Sequence, residues 1–218
     1  MAKFSNDVDI LKHEPILFGE LHLSLQVLAN GTGATLSDTT LTAPGANLES
    51  PGVSAGGVVY LRSANGLLDG AYEIVSVDSA TQLTVSVLRS DMTDDPIAPP
   101  AADNVTYRIV TYEPQAVDAA FNLTQYFGIQ PGNPTSPVSV DDIVDFEGLR
   151  RASSLAVISS VYATWAGRTD NDAFWQKSVH YRQLAEDARQ RCHLSVDLGS
   201  DGVADITHVG GAIRLVRD

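Results

Sequence analysis

Ser54 lies in Gly52-Val53-Ser54-Ala55-Gly56, the G-x-S-x-G spacing with which many hydrolases expose a nucleophile. That chemistry needs a strand running into the serine and a helix leaving it, so that the hydroxyl stands on a sharp turn. Here Pro51 precedes the pattern, and the strand-like run Gly57-Val58-Val59-Tyr60 follows it. The expectation is a glycine-rich turn into a strand, with no catalytic role for Ser54. Asp197-Leu198-Gly199-Ser200-Asp201-Gly202-Val203-Ala204-Asp205 resembles part of a calcium loop. Its third position is Gly199 where an Asp or Asn belongs, and its twelfth is His208 where a bidentate Glu belongs. A tight turn between strands, with Asp201-Gly202 at its tip, is therefore expected, and no bound metal. Asp141, Asp142 and Asp145 form an acidic group whose place at a helix start explains it, since carboxylates there favour the helix dipole.

The remaining reactive side chains are dispersed. His13, His22, His180, His193 and His208 include no H-x-x-x-H pair. Cys192, the single cysteine, falls on an apolar helical stripe and reads as a buried thiol. There is no Walker-type loop and no G-x-G-x-x-G. These residues point away from an enzyme: no catalytic group, cofactor or metal is expected, which leaves a binding or structural protein.

Composition narrows the partners. The 218 residues carry 14 basic and 27 acidic side chains, a net charge of −13. Such a chain is poorly suited to gripping nucleic acid by its phosphates or settling on an anionic membrane. One cysteine excludes an internal disulfide framework. The N-terminus shows no signal-peptide pattern and no run approaches a membrane span, so no membrane partner is expected. The charge is uneven: residues 35–145 hold 3 basic and 14 acidic groups, whereas residues 146–218 hold 9 of each.

The elements that must position these residues fall into blocks. Residues 31–112 read as all-β, with short runs at 57–62, 71–77, 82–88 and 105–112 and a weaker one at 39–42. Leu83, Val85 and Val87 alternate with Gln82, Thr84 and Ser86, a period of two. Five short strands with tight connections predict a small closed antiparallel barrel or sandwich. The flanks read as helices. Ser5 caps a first helix over 6–13, ended by Glu14-Pro15. Pro114 opens a second that stops at Gly128, with Val117, Phe121, Thr124 and Phe127 as its stripe. A third covers 146–166 behind a capping box at Ser139-Val140-Asp141-Asp142. A fourth runs from a cap at Asp170 or Asn171 to about His193. Its Phe174, Ser178, Tyr181, Ala185, Ala188 and Cys192 recur at spacings of 4, 3, 4, 3 and 4, a seam suited to antiparallel packing on the third. Residues 194–208 read as a hairpin, and 212–217 as a strand-like tail.

Taken together the chain resembles the head-to-tail connector (adaptor) proteins of tailed bacteriophages. The resemblance is carried by Asp7-Val8-Asp9-Ile10-Leu11 through Pro15 to Phe18, by the β-runs Gly57–Leu61, Gly70–Val75 and Ala80–Val85, by Leu149-Arg150-Arg151-Ala152, Tyr162, Phe174-Trp175-Gln176-Lys177 and Tyr181, and by Asp197–Asp205 closing on Arg214-Leu215-Val216-Arg217. It implies a virion protein, made in the host cytoplasm and placed at the phage neck. It further implies a ring, commonly of twelve copies, between the portal protein and a tail or stopper protein, around a channel that DNA traverses without specific binding. The fold class expected is α+β: an antiparallel helical bundle (1–30 and 113–193), an inserted small β-barrel or sandwich (31–112), and a C-terminal hairpin and arm (194–218). Within that arm, Ile213, Arg214, Leu215, Val216 and Arg217 are the expected docking residues, since an exposed terminal strand is a template for another chain. The alternative is a carbohydrate-binding or adhesion module that uses Tyr60, Tyr72, Tyr107 and Tyr112 of the β-block.

Overall fold

The computed structural model describes residues 3–49, 52–130, 133, 135–136, 138–167 and 172–209. The chain forms two compact units. One is Asn6–Tyr112; the other joins Met1–Ser5 to Glu113–Asp218.

The first unit opens with a short helix α1 (Asp7–Leu11), capped by Asn6 and not by Ser5. The Asp9 N–H donates to Asn6 Oδ1 at 2.9 Å and the Asn6 N–H to Asp9 Oδ2 at 3.0 Å, a reciprocal capping box. The helix ends earlier than the expected 6–13, and Glu14-Pro15 leads into a 3-10 turn at Pro15–Leu17. Six strands follow: β1 (Val27–Ser37), β2 (Thr40–Thr42), β3 (Val58–Arg62), β4 (Asp69–Ser79), β5 (Gln82–Ser86) and β6 (Ala102–Val110). They close into an antiparallel barrel in the order β1-β2-β5-β4-β3-β6, with β6 returning to β1. Closure leaves no unpaired sheet edge. Leu36, Leu41, Val59, Leu61, Ile74, Leu83, Val85, Val105 and Ile109 fill the interior. Val58 alternates away from that interior and is buried as well, on the strand against which α1 packs.

Strand β1 is eleven residues long and carries register shifts at Val27/Ala29, Gly31/Ala34 and Ala34/Leu36. Such bulges bend a long strand around a small barrel. Gly31 allows the Tyr107 ring to lie over the strand: a Cβ there would stand 2.8 Å from the ring. The chain leaves the barrel at Tyr112, a fully buried residue. Its hydroxyl donates to the Leu17 carbonyl at 2.7 Å, and its ring meets Phe18 edge-on at 5.3 Å.

In the second unit, helix α2 (Glu113–Tyr126) carries Pro114 in its first turn and is followed by Gly128 at φ +79°, a left-handed stop. Its buried face is Ala116, Ala119, Ala120, Leu123 and Thr124, continued by Phe127; Val117 and Phe121 are only half-buried. The helix is thus rotated from the expected stripe, because the alanines admit closer approach to a neighbouring helix than the larger side chains do. Helix α3 (Glu147–Trp165) is central, with α2 and α4 (Ala173–Arg191) both packed on it. Asp172 caps α4, accepting the Phe174 N–H at 2.8 Å; the caps expected at Asp170 and Asn171 lie outside the described residues. Strands β7 (His193–Val196) and β8 (Ile206–Val209) form an antiparallel hairpin, and Ile143 bridges to Val196 on the other edge of β7. Phe4 stacks on Phe146 at 5.5 Å, and Ser5 and Ser153 share a buried hydrogen bond of 2.7 Å, which ties the start of the chain to this unit.

The fold class expected from sequence is corrected. The molecule is not an antiparallel helical bundle carrying a small inserted β-domain. A closed six-stranded barrel with its opening helix makes up about half of the chain, and three longer helices with a hairpin make up the rest. Residues 6–30 go with the barrel because Val8, Ile10, Leu11, Leu17 and Phe18 are buried within that unit, and because β1 starts at Val27.

Candidate functional site

Ser54 stands exposed on a turn. The Gly57 N–H donates back to the Ser54 carbonyl at 3.1 Å, and the Gly56 N–H donates to the Ile74 carbonyl at 2.9 Å. Strand β3 follows directly, so the helix that a nucleophile elbow requires is replaced by a strand.

The Asp197–Asp205 loop uses its carboxylates internally. Asp197 Oδ2 accepts the Gly202 N–H at 2.6 Å, and Asp205 Oδ2 accepts the N–H groups of Leu198 at 2.8 Å and Gly199 at 3.1 Å. Asp201 Oδ1 accepts the Val203 N–H at 2.9 Å. Backbone donors, led by Gly202, hold the Asp197 carboxyl below the usual carboxylate range against an opposing contribution from burial. Among the described residues no group of His, Cys, Asp and Glu is arranged to hold a metal ion. Asp142 and Ser139 form the expected capping box, with the Ser139 N–H donating to Asp142 Oδ2 at 2.7 Å, but it caps a 3-10 turn, Val140–Asp142, ahead of α3. Asp145 meets α3 itself, accepting the Glu147 N–H at 2.8 Å. Cys192 is buried, donates to the Gly148 carbonyl at 2.8 Å, and burial raises its thiol pKa, so it is held as an unreactive thiol.

The four tyrosines proposed as a binding platform are engaged elsewhere. Tyr112 and Tyr107 are buried, and Tyr72 packs on the barrel core. The Tyr60 hydroxyl donates to Asp69, which raises its pKa, and Arg108 lies over its ring at 5.2 Å. A buried ion pair that sequence reasoning missed fixes the loop after β5. Arg89 Nη2 donates to Glu73 Oε1 at 2.7 Å, and its Nη1 donates to the Asp94 carbonyl. Both side chains are almost wholly buried. The pairing spans sixteen residues and depends on the barrel register.

The larger surface feature belongs to the helices. A groove of about 370 Å³ runs between α2 and α4, and small residues of α3 (Ala152, Ala156, Ser159, Ser160 and Ala163) form its floor. Leu123 and Trp175 line its walls. Towards the C-terminal ends of α2 and α4, Arg189 stacks over Tyr126 at 4.0 Å. The α4 seam read from sequence faces α3: Phe174 and Tyr181 stack on Tyr162 at 6.1 and 6.0 Å, and Ser159 Oγ donates to the Ser178 carbonyl at 2.9 Å. That part of the α3 surface stays open follows from where α2 and α4 settle, which no local sequence pattern announces.

The expected docking residues Ile213, Arg214, Leu215, Val216 and Arg217 lie outside the described residues. Among the described residues no helix is long and apolar enough to cross a membrane. No family model matches the chain, and no curated protein or solved structure matches it.

Proposed function

We propose that the chain is a structural subunit of a tailed-bacteriophage head-to-tail connector, one of a ring of copies between the portal and the tail. The observation that carries this reading is the incompleteness of the helical unit. Of the nineteen residues of α4, Ser178 alone is fully buried. Trp175 and Val179, one turn apart, are 42% and 38% exposed, and in the groove beside them Ser160 and Ala163 of α3 are exposed and Ala156 is half-buried. In this reading the exposed apolar side chains of α4 and the groove beside them are the face that another protein covers. In the proposed ring, the neighbours are further copies, the portal protein and a tail or stopper protein.

The charge distribution agrees with a DNA conduit. The barrel unit, residues 6–112, holds 13 acidic and 4 basic side chains, a net charge of −9. A like-charged wall does not retain phosphate and lets a duplex slide. The reading needs no catalytic group, cofactor or metal, and it keeps residues 213–217 as a docking arm.

Electron microscopy of purified particles labelled with an antibody against this chain tests the proposal. Label at the neck is the expected result. Particles that carry the chain elsewhere, or lack it, overturn the reading.

A further inference from the structure

The loop that joins β5 to β6, residues 87–101, is pinned to the barrel. The Arg89–Glu73 pair anchors it to β4, the Val87 N–H donates to the Ile97 carbonyl at 2.9 Å, and the Ile97 N–H donates to Ser86 Oγ at 2.8 Å. Within the loop the Asp91 N–H donates to Asp94 Oδ2 at 3.1 Å and the Thr93 N–H to Asp91 Oδ1 at 2.8 Å, a turn closed on itself. The loop presents Met92 and Ile97, 42% and 53% exposed, together with the exposed Asp91, Asp94 and Asp95. Residues 90–101 hold no basic side chain.

Helix α4 has the opposite character. Trp175, Val179, Arg182, Glu186 and Arg189 recur at spacings of 4, 3, 4 and 3, which places them along one face of the helix. The helix holds four basic and two acidic side chains in a chain whose net charge is −13. Among the described residues neither Arg182 nor Arg189 pairs with a carboxylate, and Arg189 Nε is buried without a hydrogen-bond acceptor. The acids of the groove do not supply one. Asp118, on the α2 wall, accepts an Asn122 N–H at 3.4 Å, and Glu186 stands between the two arginines in sequence without bonding to either.

We infer that this face of α4 receives the Asp91–Ile97 loop of a second copy of this chain. The inference rests on the ring proposed above, in which every subunit needs two different, mutually complementary patches. The loop and the helix match in kind. Met92 and Ile97 cover Trp175 and Val179, and three aspartates meet a helix with unpaired arginines. Met, Trp and Arg are among the residue types enriched in protein interfaces, and opposite potentials across a contact fix register and turn away wrong partners. The charge also bears on the choice of occupant. Copies of a chain at −13 repel one another, and a contact that sets the acidic loop against the basic helix offsets that repulsion. A loop already held by a buried ion pair loses little freedom on docking, which favours the bound state.

Cysteines at exposed positions of the full-length protein test this. Ile97→Cys and Val179→Cys proteins, purified separately, mixed and treated with a short bismaleimide, are expected to give a two-chain product whose linking peptide joins positions 97 and 179, in excess over 97–97 and 179–179 products. The native Cys192 is buried and hydrogen-bonded, so it does not compete. Adding Arg182→Glu to the second protein is expected to cut the yield severalfold; an undiminished yield overturns the inference. In the double variant Ile97→Cys/Val179→Cys, a link closed within one chain overturns it too, because the loop then serves its own helix. No 97–179 product in protein that native mass spectrometry shows to be a ring overturns the inference and leaves the ring reading standing. Where the purified protein is monomeric, the double variant is treated within particles, and the lack of a chain-to-chain link there has the same meaning. A 97–179 link in protein that never reaches the neck of a particle supports the docking and overturns the ring reading. A chain that is monomeric and absent from particles overturns both.

Discussion

The Asp7 carboxylate accepts the backbone N–H of Tyr112 at 2.7 Å, joining the two ends of the barrel unit across 105 residues of sequence. Both partners are buried. The bond fixes the point where the chain enters the barrel against the point where it leaves, and the Tyr112 hydroxyl on Leu17 braces the same corner.

Asp7→Ala leaves the Tyr112 N–H with one partner fewer in a buried place. An unsatisfied buried donor costs about 1–3 kcal/mol, so the midpoint of urea unfolding should fall by a corresponding amount. An unchanged midpoint would show that water replaces the carboxylate at no cost and that the corner is not fixed by this bond.

Glu73 and Arg89 make a second, sharper test, because their environment decides what the pair is worth. Removing one partner strands a charge among buried groups and costs about 3–5 kcal/mol. The Lys3–Glu113 pair, at 3.0 Å but with side chains 40% and 51% exposed, contributes about 0–1 kcal/mol. Glu73→Gln should therefore destabilise the protein strongly, and Glu113→Gln barely. Similar shifts for the two variants would refute the burial argument. Replacing both Glu73 and Arg89 by apolar residues of similar volume should recover much of the loss.

Asp172 and Asp197 should contribute to the acid response of the helical unit. Backbone N–H donors, from Gly167 first at Asp172 and from Gly202 first at Asp197, hold both carboxyls below the usual carboxylate range. A folded-state pKa below the unfolded one means that the unfolded chain binds protons first as pH falls. The stabilisation is complete above the unfolded value and is lost as pH drops through the folded one. Stability measured by denaturant titration should decline below about pH 4, the unfolded carboxylate range, and Asp197→Asn should flatten that decline. Parallel acid limbs for the two proteins would exclude Asp197 as a contributor.

The seam of α4 was legible because its small and aromatic residues recur at helical spacing, and they are the residues that meet α3. The Asp197–Asp205 turn was legible for a similar reason, since Asp and Gly at close spacing encode side chain-to-backbone turns locally. Strand β1 was not, because Asn30, Gly31, Thr32 and Gly33 are poor strand formers with no apolar alternation; only the barrel, with its bulges and the Tyr107 ring over Gly31, makes a strand of them. The buried face of α2 was displaced because periodicity favoured Val117 and Phe121, while packing favoured alanines. The Glu73–Arg89 pair and the groove are products of tertiary register, and no local pattern in the sequence announces them.

The division of the chain gives the last prediction. Residues 3–5 belong with the helices: Phe4 stacks on Phe146, Ser5 bonds to Ser153, and Lys3 Nζ reaches Glu113 at 3.0 Å. Lys3 and Glu113 are therefore neighbours within one unit although 110 positions separate them in sequence. A chain in which a short Gly/Ser linker replaces residues 6–112 needs to span only a small gap from Ser5 to Glu113. Closing so short a loop adds little entropic cost, because that cost grows only slowly with length. The shortened protein should keep the α2, α3 and α4 signal in far-ultraviolet circular dichroism and unfold cooperatively. The complementary fragment, residues 6–112, should fold alone, with the Asp7–Tyr112 bond closing its ends. Loss of helical signal in the first protein, or of dispersed amide resonances in the second, would mean that the two units depend on each other for stability.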